Sequence, residues 1–453
     1  MDCTCMRRLF YGFAVLLACV PAARLHAGTV DQPDTLRLHA VETMPVKTGG
    51  ARVSIAVPAW TLERMIQETI ADNPQVLSKR AANQSAREGV AAARLKFLPS
   101  PYVQLQQKSG EMLSSSYKRY EVYGVQQPIW GLELFANLSV AKSTALSSSL
   151  SVQETRLALA QSVVNVYQNL LAYHNRIRAQ ENGVRLIERY AGMMDRRVNA
   201  GVSAPIDKVQ VNARLFQARN ELYSYRSAYR VALEQMTQLV GKPLKDQPVV
   251  FLTNAGMEMP PGSDFVLARA EALNPVLARM AADIEVAKHQ RKLQTAALLP
   301  TVSLKAEHRN YRDVKDFNTH ENVVYAAVDY SFGSGLPSVA NIRSATARIE
   351  SYAEAREATR RDVRAKIQAD SEECLQALMR YQEASLSTRA SASVLESYTR
   401  MFVAGKRSWL DVLNAARELI QSEVAEGDIL AAYWGSRYRL RLDAMDDALI
   451  AAD

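Results

Sequence analysis

Apolar side chains recur every seven residues along two long segments of the chain. Val163, Leu170, Ile177, Val184, Ala191 and Val198 make the first series. Ile367, Cys374, Tyr381, Thr388, Leu395 and Phe402 make the second, the same positions displaced by 204, with Thr388 as its one break. A seven-residue step sustained this far predicts helices that pack as in a coiled coil against their neighbours. The pattern places them at about 132–199 and about 335–403, and about 68 residues at 1.5 Å each make a rod near 100 Å long. Shorter helices are expected at about 59–98 and 205–240, and again at about 264–298 and 409–443. In each half the two together match the long helix in length and can lie alongside it.

Between the first short helix and the long one, the period falls from seven to two, which is the strand signature. Val103 and Leu105 alternate with Gln104 and Gln106; Val302, Leu304 and Ala306 alternate with Ser303, Lys305 and Glu307. Return strands are expected at 117–130 and 321–333, where Val324, Ala326, Val328, Tyr330 and Phe332 share one face. Four strands of about ten residues, each with one apolar and one polar face, have the length and patterning of transmembrane β-strands. Tyr102, Tyr117, Trp130, Tyr330 and Phe332 sit towards strand ends, as in the aromatic girdles of an outer-membrane barrel. The stretches "EMLSSS" and "NYRDVKDFNTH" between the strands read as surface loops. A hairpin capping a soluble helical rod is the alternative reading of the same alternation.

The chain is a repeat. "NPQVL" at 73–77 answers "NPVLA" at 274–278, Pro99 answers Pro300, Trp130-Gly131 answers Phe332-Gly333, and Gly201 answers Gly405. The implied organisation is a signal peptide at 1–22, a flexible N-terminal extension at 23–57, a first repeat at 58–240 and a Pro/Gly-rich connector at 241–263. A second repeat follows at 264–445, then a short C-terminal tail at 446–453. The fold class is mainly α with a membrane β-barrel. Four strands cannot stand alone in a bilayer, because an open edge leaves backbone groups unpaired in hydrocarbon. Chains must therefore share a barrel, of eight, twelve or sixteen strands for two, three or four copies, and only the larger two leave a lumen.

Composition sharpens this picture in three places. Gly and Pro number only 19 and 16 in 453 residues, which favours few, long elements. Arg7 and Arg8 precede the apolar run at 9–20, too short to span a membrane and suited to secretion. Processing is expected either near Val20-Pro21-Ala22 or at the lipobox-like "LLAC" ending in Cys19, which would then be acylated. Cys374 is the one cysteine beyond that region, so no disulfide framework is expected. The net charge of +8 comes from bases interleaved with acids along helices, which argues for solvated faces and against nucleic acid.

Catalytic chemistry finds no support. The six histidines, 26, 39, 174, 289, 308 and 320, have no metal-ligand spacing, and no cysteine lies in a nucleophile motif, so neither metal nor cofactor is expected. Glu372-Glu373 and Asp446-Asp447 are adjacent on helices and so point to different faces.

The doubled turns "NAGVSAPIDKVQVNAR" and "VAGKRSWLDVLNAARE", the paired "NP" and the strand-leading prolines resemble the TolC family of outer-membrane factors, over about residues 58–445. The resemblance implies a homotrimer, with a twelve-stranded barrel among outer-membrane lipids continuous with a helical tunnel through the periplasm. It also implies a periplasmic adaptor and an inner-membrane ABC transporter as partners. Within the family it points to type I secretion of a protein toxin, adenylate cyclase toxin; multidrug efflux or a structural periplasmic rod are the alternatives. Gly201 and Gly405 are expected at left-handed helix ends. Asp207 and Asp411 begin the returning helices, and "SWLD" also reads as a capping box with Ser408 as N-cap. By resemblance Asp411 falls on an aspartate ring at the narrowest constriction and Arg407 on an arginine that helps to close it. Phe402 falls where a tyrosine is common, Asn414 where a second aspartate stands, and Leu430 where a further arginine appears, which implies a weaker lock.

Overall fold

The computed structural model describes residues 59–107, 117–244, 248–313, 318–330, 337–446 and 449. The signal peptide with Cys19, the N-terminal extension, Phe332-Gly333, the first expected loop, residues 314–317 of the second and most of the C-terminal tail lie outside them; the rest of the second expected loop, 310–313 and 318–320, is strand, because the two strands run on to meet closer to the turn. Helices α1 (Leu62–Asp72) and α2 (Pro74–Leu95) lead into strands β1 (Ser100–Gln107) and β2 (Tyr117–Trp130). Helices α3 (Leu132–Asn199) and α4 (Pro205–Val240) follow. The second half repeats this order as α5 (Ser263–Leu273), α6 (Pro275–Ala296), β3 (Thr301–Asp313), β4 (Asn318–Asp329), α7 (Pro337–Val403) and α8 (Trp409–Asp443).

The first helix of each half is broken where a continuous one was expected. Asn73 and Asn274 adopt extended backbone, ψ 130° and 119°, and each side chain caps the helix that begins at the following proline. The proline ring excludes its predecessor from the α region, and asparagine is a strong N-cap, so both residues favour a corner. The last strand spans 318–329 instead of 321–333, and the second long helix starts at Pro337.

The four strands form one antiparallel sheet in the order β1-β2-β3-β4, which leaves β1 and β4 as free edges. Register sorts the side chains cleanly. Val103, Val125, Leu304, Ala306, Val324, Ala326 and Val328 share an exposed apolar face. On the other face Tyr102 and Tyr325 both donate to Glu307, and Arg309 Nε lies 2.6 Å from the same carboxylate. Tyr102 is therefore not part of an outer aromatic girdle: with Val103 outward, alternation turns it onto the polar face. Trp130 and Tyr330 are exposed, and the side chain of Tyr117 lies outside the described set.

The heptad seam is the seam that buries. Val163, Leu170, Ile367 and Cys374 have no exposed surface, and they join Tyr167, Met236, Tyr433 and Leu440 in the core of the middle of the rod. A second core near the far end gathers Val184, Met194, Val211, Leu395, Phe402, Trp409 and Val412. Helix α3 is central: α2 and α6 flank it near the sheet, α4 and α8 farther away, and α7 lies beyond α6 and α8. Close approach of α3 and α8 relies on missing side chains, since a Cβ on Gly183 would lie 2.5 Å from Ile420 and one on Gly427 2.5 Å from Asn175. The connector is strapped to the rod. Tyr167 Oη donates to Val250 O and accepts from Leu252 N, Tyr433 Oη bonds both backbone groups of Glu258, and Trp434 donates to Thr253 O.

Candidate functional site: the paired hairpin tips

Both helical hairpins turn in the same way. Gly201 at φ +73° donates to Val198 O at 3.0 Å, and Val202 donates to Arg197 O at 2.8 Å. Gly405 at φ +72° donates to Phe402 O at 3.0 Å, and Lys406 donates to Met401 O at 2.8 Å. These paired bonds are the Schellman arrangement, which satisfies the last carbonyls of a helix and needs a left-handed residue just beyond it. A side chain at either glycine would meet no neighbour, so its penalty would be the backbone one alone, roughly 1–2 kcal/mol.

The returning helices start differently. In α8, Ser408 Oγ accepts from Asp411 N at 3.2 Å and Asp411 Oδ2 accepts from Ser408 N at 3.3 Å, a complete capping box. Arg407 reaches the same carboxylate at 3.6 Å and lies over the Tyr398 ring at 4.5 Å. In α4 the N-cap is Ala204, with no side-chain bond, and Asp207 sits half-buried in the first turn. There the hairpin is held by a Lys208–Asp195 ion pair and by Arg197 Nε donating to Ser203 Oγ at 3.2 Å.

The two tips are tied to each other. Arg197 of the first lies over the ring of Phe402 of the second, 4.7 Å from its centroid. Phe402 is buried against Trp409, with ring centroids 5.1 Å apart. Tyr190 meets Trp409 edge-on at 5.5 Å, and its hydroxyl lies 2.8 Å from Thr399 Oγ1. The geometry thus brings Arg407 and Asp411 together and places Phe402 in the packed seam beneath them. Asn414 is exposed one turn farther along α8, and Leu430 lies half-buried by a cavity beside His174 and Tyr381. Arg197, Tyr398, Trp409 and Tyr190 were not singled out in the sequence, although Tyr398, Phe402 and Trp409 form an aromatic cluster around Gly405.

Above the tips a groove of about 1090 Å³ runs between α3 and α8, lined by Arg185, Arg189 and Arg196 on one side and Leu419, Ile420 and Glu423 on the other. Burial pushes the Glu423 carboxyl above its ordinary range, Asn182 pulling it back by a hydrogen bond. Among the described residues no group of three or more metal-ligating side chains converges. The arrangement offers turns, caps and weak links at the end of a rod.

A profile of the outer membrane efflux protein family matches residues 65–242 and 266–442. The alkaline protease secretion protein AprF of Pseudomonas aeruginosa is 23% identical over 343 residues, 73% of this chain and 71% of its own. The pyoverdine export outer membrane protein OpmQ of Pseudomonas putida is 23% identical over 336 residues, 71% of this chain and 68% of its own. The outer membrane protein VceC of Vibrio cholerae superposes with a TM-score of 0.72 at 16% identity, over 84% of this chain and 95% of that one.

Proposed function

Because the chain belongs to the outer membrane efflux protein family, whose members are outer-membrane channels, we propose that it is the outer-membrane duct of a type I secretion system. Three copies would pass a polypeptide toxin delivered by an inner-membrane ABC transporter and a periplasmic adaptor. The chain resides in the outer membrane and reaches into the periplasm. In this reading it conducts and does not catalyse.

The observation that carries the reading is that, among the described residues, the sheet and the rod each leave two elements uncovered. At the sheet these are β1 and β4. Along the rod they are α4, with exposed Val209, Phe216 and Tyr223 at seven-residue steps, and α7, with exposed Met379, Leu386, Val394 and Met401. Two uncovered coiled-coil stripes and two uncovered strand edges are what a ring of copies would bury. Three copies would close twelve strands, the smallest of the allowed barrels with a lumen.

Protein cargo is supported by the likeness to the alkaline protease secretion protein, and the likeness to the pyoverdine exporter favours small-molecule efflux as a second reading. Deleting the gene separates them. Secretion predicts loss of one polypeptide from the culture medium with drug susceptibility unchanged. Rising intracellular small molecules with an intact secreted proteome would establish efflux instead.

The tips would form the gate, Asp411 of each copy facing the axis. Three carboxylates about 8 Å apart in water repel by only about 0.5 kcal/mol per pair, so all can stay ionised and attract cations. Arg407 and Asp411 are both well exposed, and an exposed pair is worth about 0–1 kcal/mol, weak enough for a docking partner to break. Planar-bilayer recording should show small, cation-selective currents inhibited by divalent cations from the periplasmic side. In Asp411→Asn the amide oxygen can still accept from Ser408 N, so the cap is retained while the charge is removed. Inhibition should disappear in that variant; undiminished inhibition would leave Asp411 as a helix cap alone.

A further inference from the structure

The outward face of the sheet is apolar over too short a height to span a bilayer. On β3 it runs from Val302 through Leu304 to Ala306, and on β4 from Val328 through Ala326 to Val324, about 13 Å along each strand at about 3.3 Å per residue. The next outward positions are His308, Asn310, Asn322 and His320, with Tyr123 and Glu121 beside them on β2. Glu121 lies 2.6 Å from Arg119, and neither charge belongs in hydrocarbon. An outer-membrane barrel carries an apolar band about 25 Å tall, and the tilt of the strands makes their share of it shorter still. The rest of the band must lie below the sheet.

It is found on the helix turns nearest the sheet. Leu98 and Leu299 precede the strands in the two halves, and Leu132, Phe135 and Val339 begin the helices that leave them; all five are exposed. Phe135 is continuous with the outward face. Gln127, in register with Leu304, donates through Nε2 to Phe97 O at 2.8 Å, and the Phe97 ring meets that of Phe135 edge-on at 5.2 Å. Helix α3 is flanked here by α2 and α6 of its own chain, so a neighbouring copy does not cover Phe135. This ring stands about 8 Å below the strand end at Trp130, which brings the band to about 20 Å. The exposed Trp130 and Tyr330 would mark the inner edge by themselves, but a band that ended there would keep only its strand portion.

Charge marks the lower edge. Over residues 94–98, 131–142, 292–299 and 337–343 the exposed charged side chains are Arg94, Lys96, Glu133, Lys142, Lys292 and Arg343, five bases against one acid. None of the five bases is ion-paired among the described residues. Lys142 is two turns beyond Phe135 and Arg343 one turn beyond Val339, on the same helix faces, while Glu133 lies two residues from Phe135 and points to the other side. Basic side chains at the foot of an acyl layer lay their stems along it and hold their charges among the headgroups.

We propose that the inner leaflet of the outer membrane covers the helix turns nearest the sheet, with acyl chains against Leu132 and Phe135 and headgroup phosphates against Lys142, Lys292 and Arg343. The outer half of the sheet then stands clear of the bilayer. The proposal rests on residence in the outer membrane and not on the cargo.

Full-length protein carrying one nitroxide, placed through Phe135→Cys, Lys142→Cys or His320→Cys, tests this in phospholipid vesicles, with the unsubstituted protein as the labelling background. Electron paramagnetic resonance reads collisions with oxygen, which concentrates among acyl chains, and with a water-soluble nickel chelate loaded on both sides of the membrane. The expected ratio of oxygen to nickel collisions is high at Phe135, lower at Lys142 and lowest at His320. In separate samples of the wild type at low salt, spin-labelled phosphatidylglycerol should associate at least about twofold more than phosphatidylcholine, a preference that falls in Lys142→Gln/Arg343→Gln. Nickel access at Phe135 equal to that at His320, oxygen access at His320 equal to that at Phe135, or equal association of the two lipids with the wild type would each overturn the proposal. Co-flotation with the vesicles reads insertion separately, so a chain that does not enter the bilayer is told apart from a misplaced boundary. Because the lipid preference is read on unmodified protein, a variant that fails to assemble does not remove the test.

Discussion

Removal of residues 102–127 is expected to abolish insertion of the protein into the outer membrane. The deletion takes away nearly all of β1 and most of β2 and leaves β3 with an open side where β2 had paired with it along its length. In water that edge would find solvent. In hydrocarbon each unpaired backbone group costs several kcal/mol, and the ten residue pairs lost between β2 and β3 put the total far beyond the 5–15 kcal/mol that usually holds a domain together. A shared barrel closed by the free edges β1 and β4 would also lose one of its two joining strands in every copy. The measurement is outer-membrane fractionation with detergent extraction and native electrophoresis. A normally inserted trimer of the shortened chain would sink the shared barrel; a chain that accumulates as soluble periplasmic aggregate is the expected result.

The contrast between what was legible in the sequence and what was not follows from how far each interaction reaches along the chain. The long helices and the tip turns were legible because they depend on local period and on single glycines: α3 runs from Leu132 to Asn199, and Gly201 and Gly405 both take left-handed conformations. The Asn73 and Asn274 corners carried a visible signal, an Asn-Pro pair, that an otherwise periodic run concealed. Tyr102 was placed on the wrong face because position near a strand end says nothing of parity, which Val103 alone decides. The Arg197–Phe402 contact joins segments two hundred residues apart, so no window of sequence contains it. Glu373 shows the same limit. Beside Glu372 it reads as part of an ordinary solvated pair, yet its partner is Arg439, 66 residues away, at 2.7 Å.

That arginine is the centre of a buried charge cluster whose loss should be the largest effect of any single substitution in the rod. Arg439 Nε lies 2.6 Å from Asp370 Oδ1, Nη1 lies 2.8 Å from Gln168 Oε1, and Nη2 serves Glu373. One turn along α8, Asp443 accepts from Gln161 at 2.8 Å and from Lys366 at 3.4 Å. Three carboxylates face two cations, and one oxygen each of Asp370 and Asp443 is buried without a hydrogen bond. Arg439→Met keeps the length of the side chain and leaves Asp370 without its cation. Removing one partner of a buried pair costs about 3–5 kcal/mol, so thermal unfolding in detergent, followed by circular dichroism, should move sharply to lower temperature. Asp443 gives the opposite sign. Burial holds its carboxyl above the ordinary range, against the pull of Lys366, and Asp370 raises it further. A carboxyl whose pKa is raised on folding favours the folded state in its protonated form. Its contribution is complete below the unfolded value of about 3.9 and is lost as pH rises through the folded value. Asp443→Asn, neutral at every pH and still able to accept from Gln161 and Lys366, should therefore unfold at a higher temperature than the wild type near neutrality, the gap narrowing as the solution is acidified towards about pH 4. A gap that widens on acidification would mean that Lys366 outweighs burial and that Asp443 is held ionised.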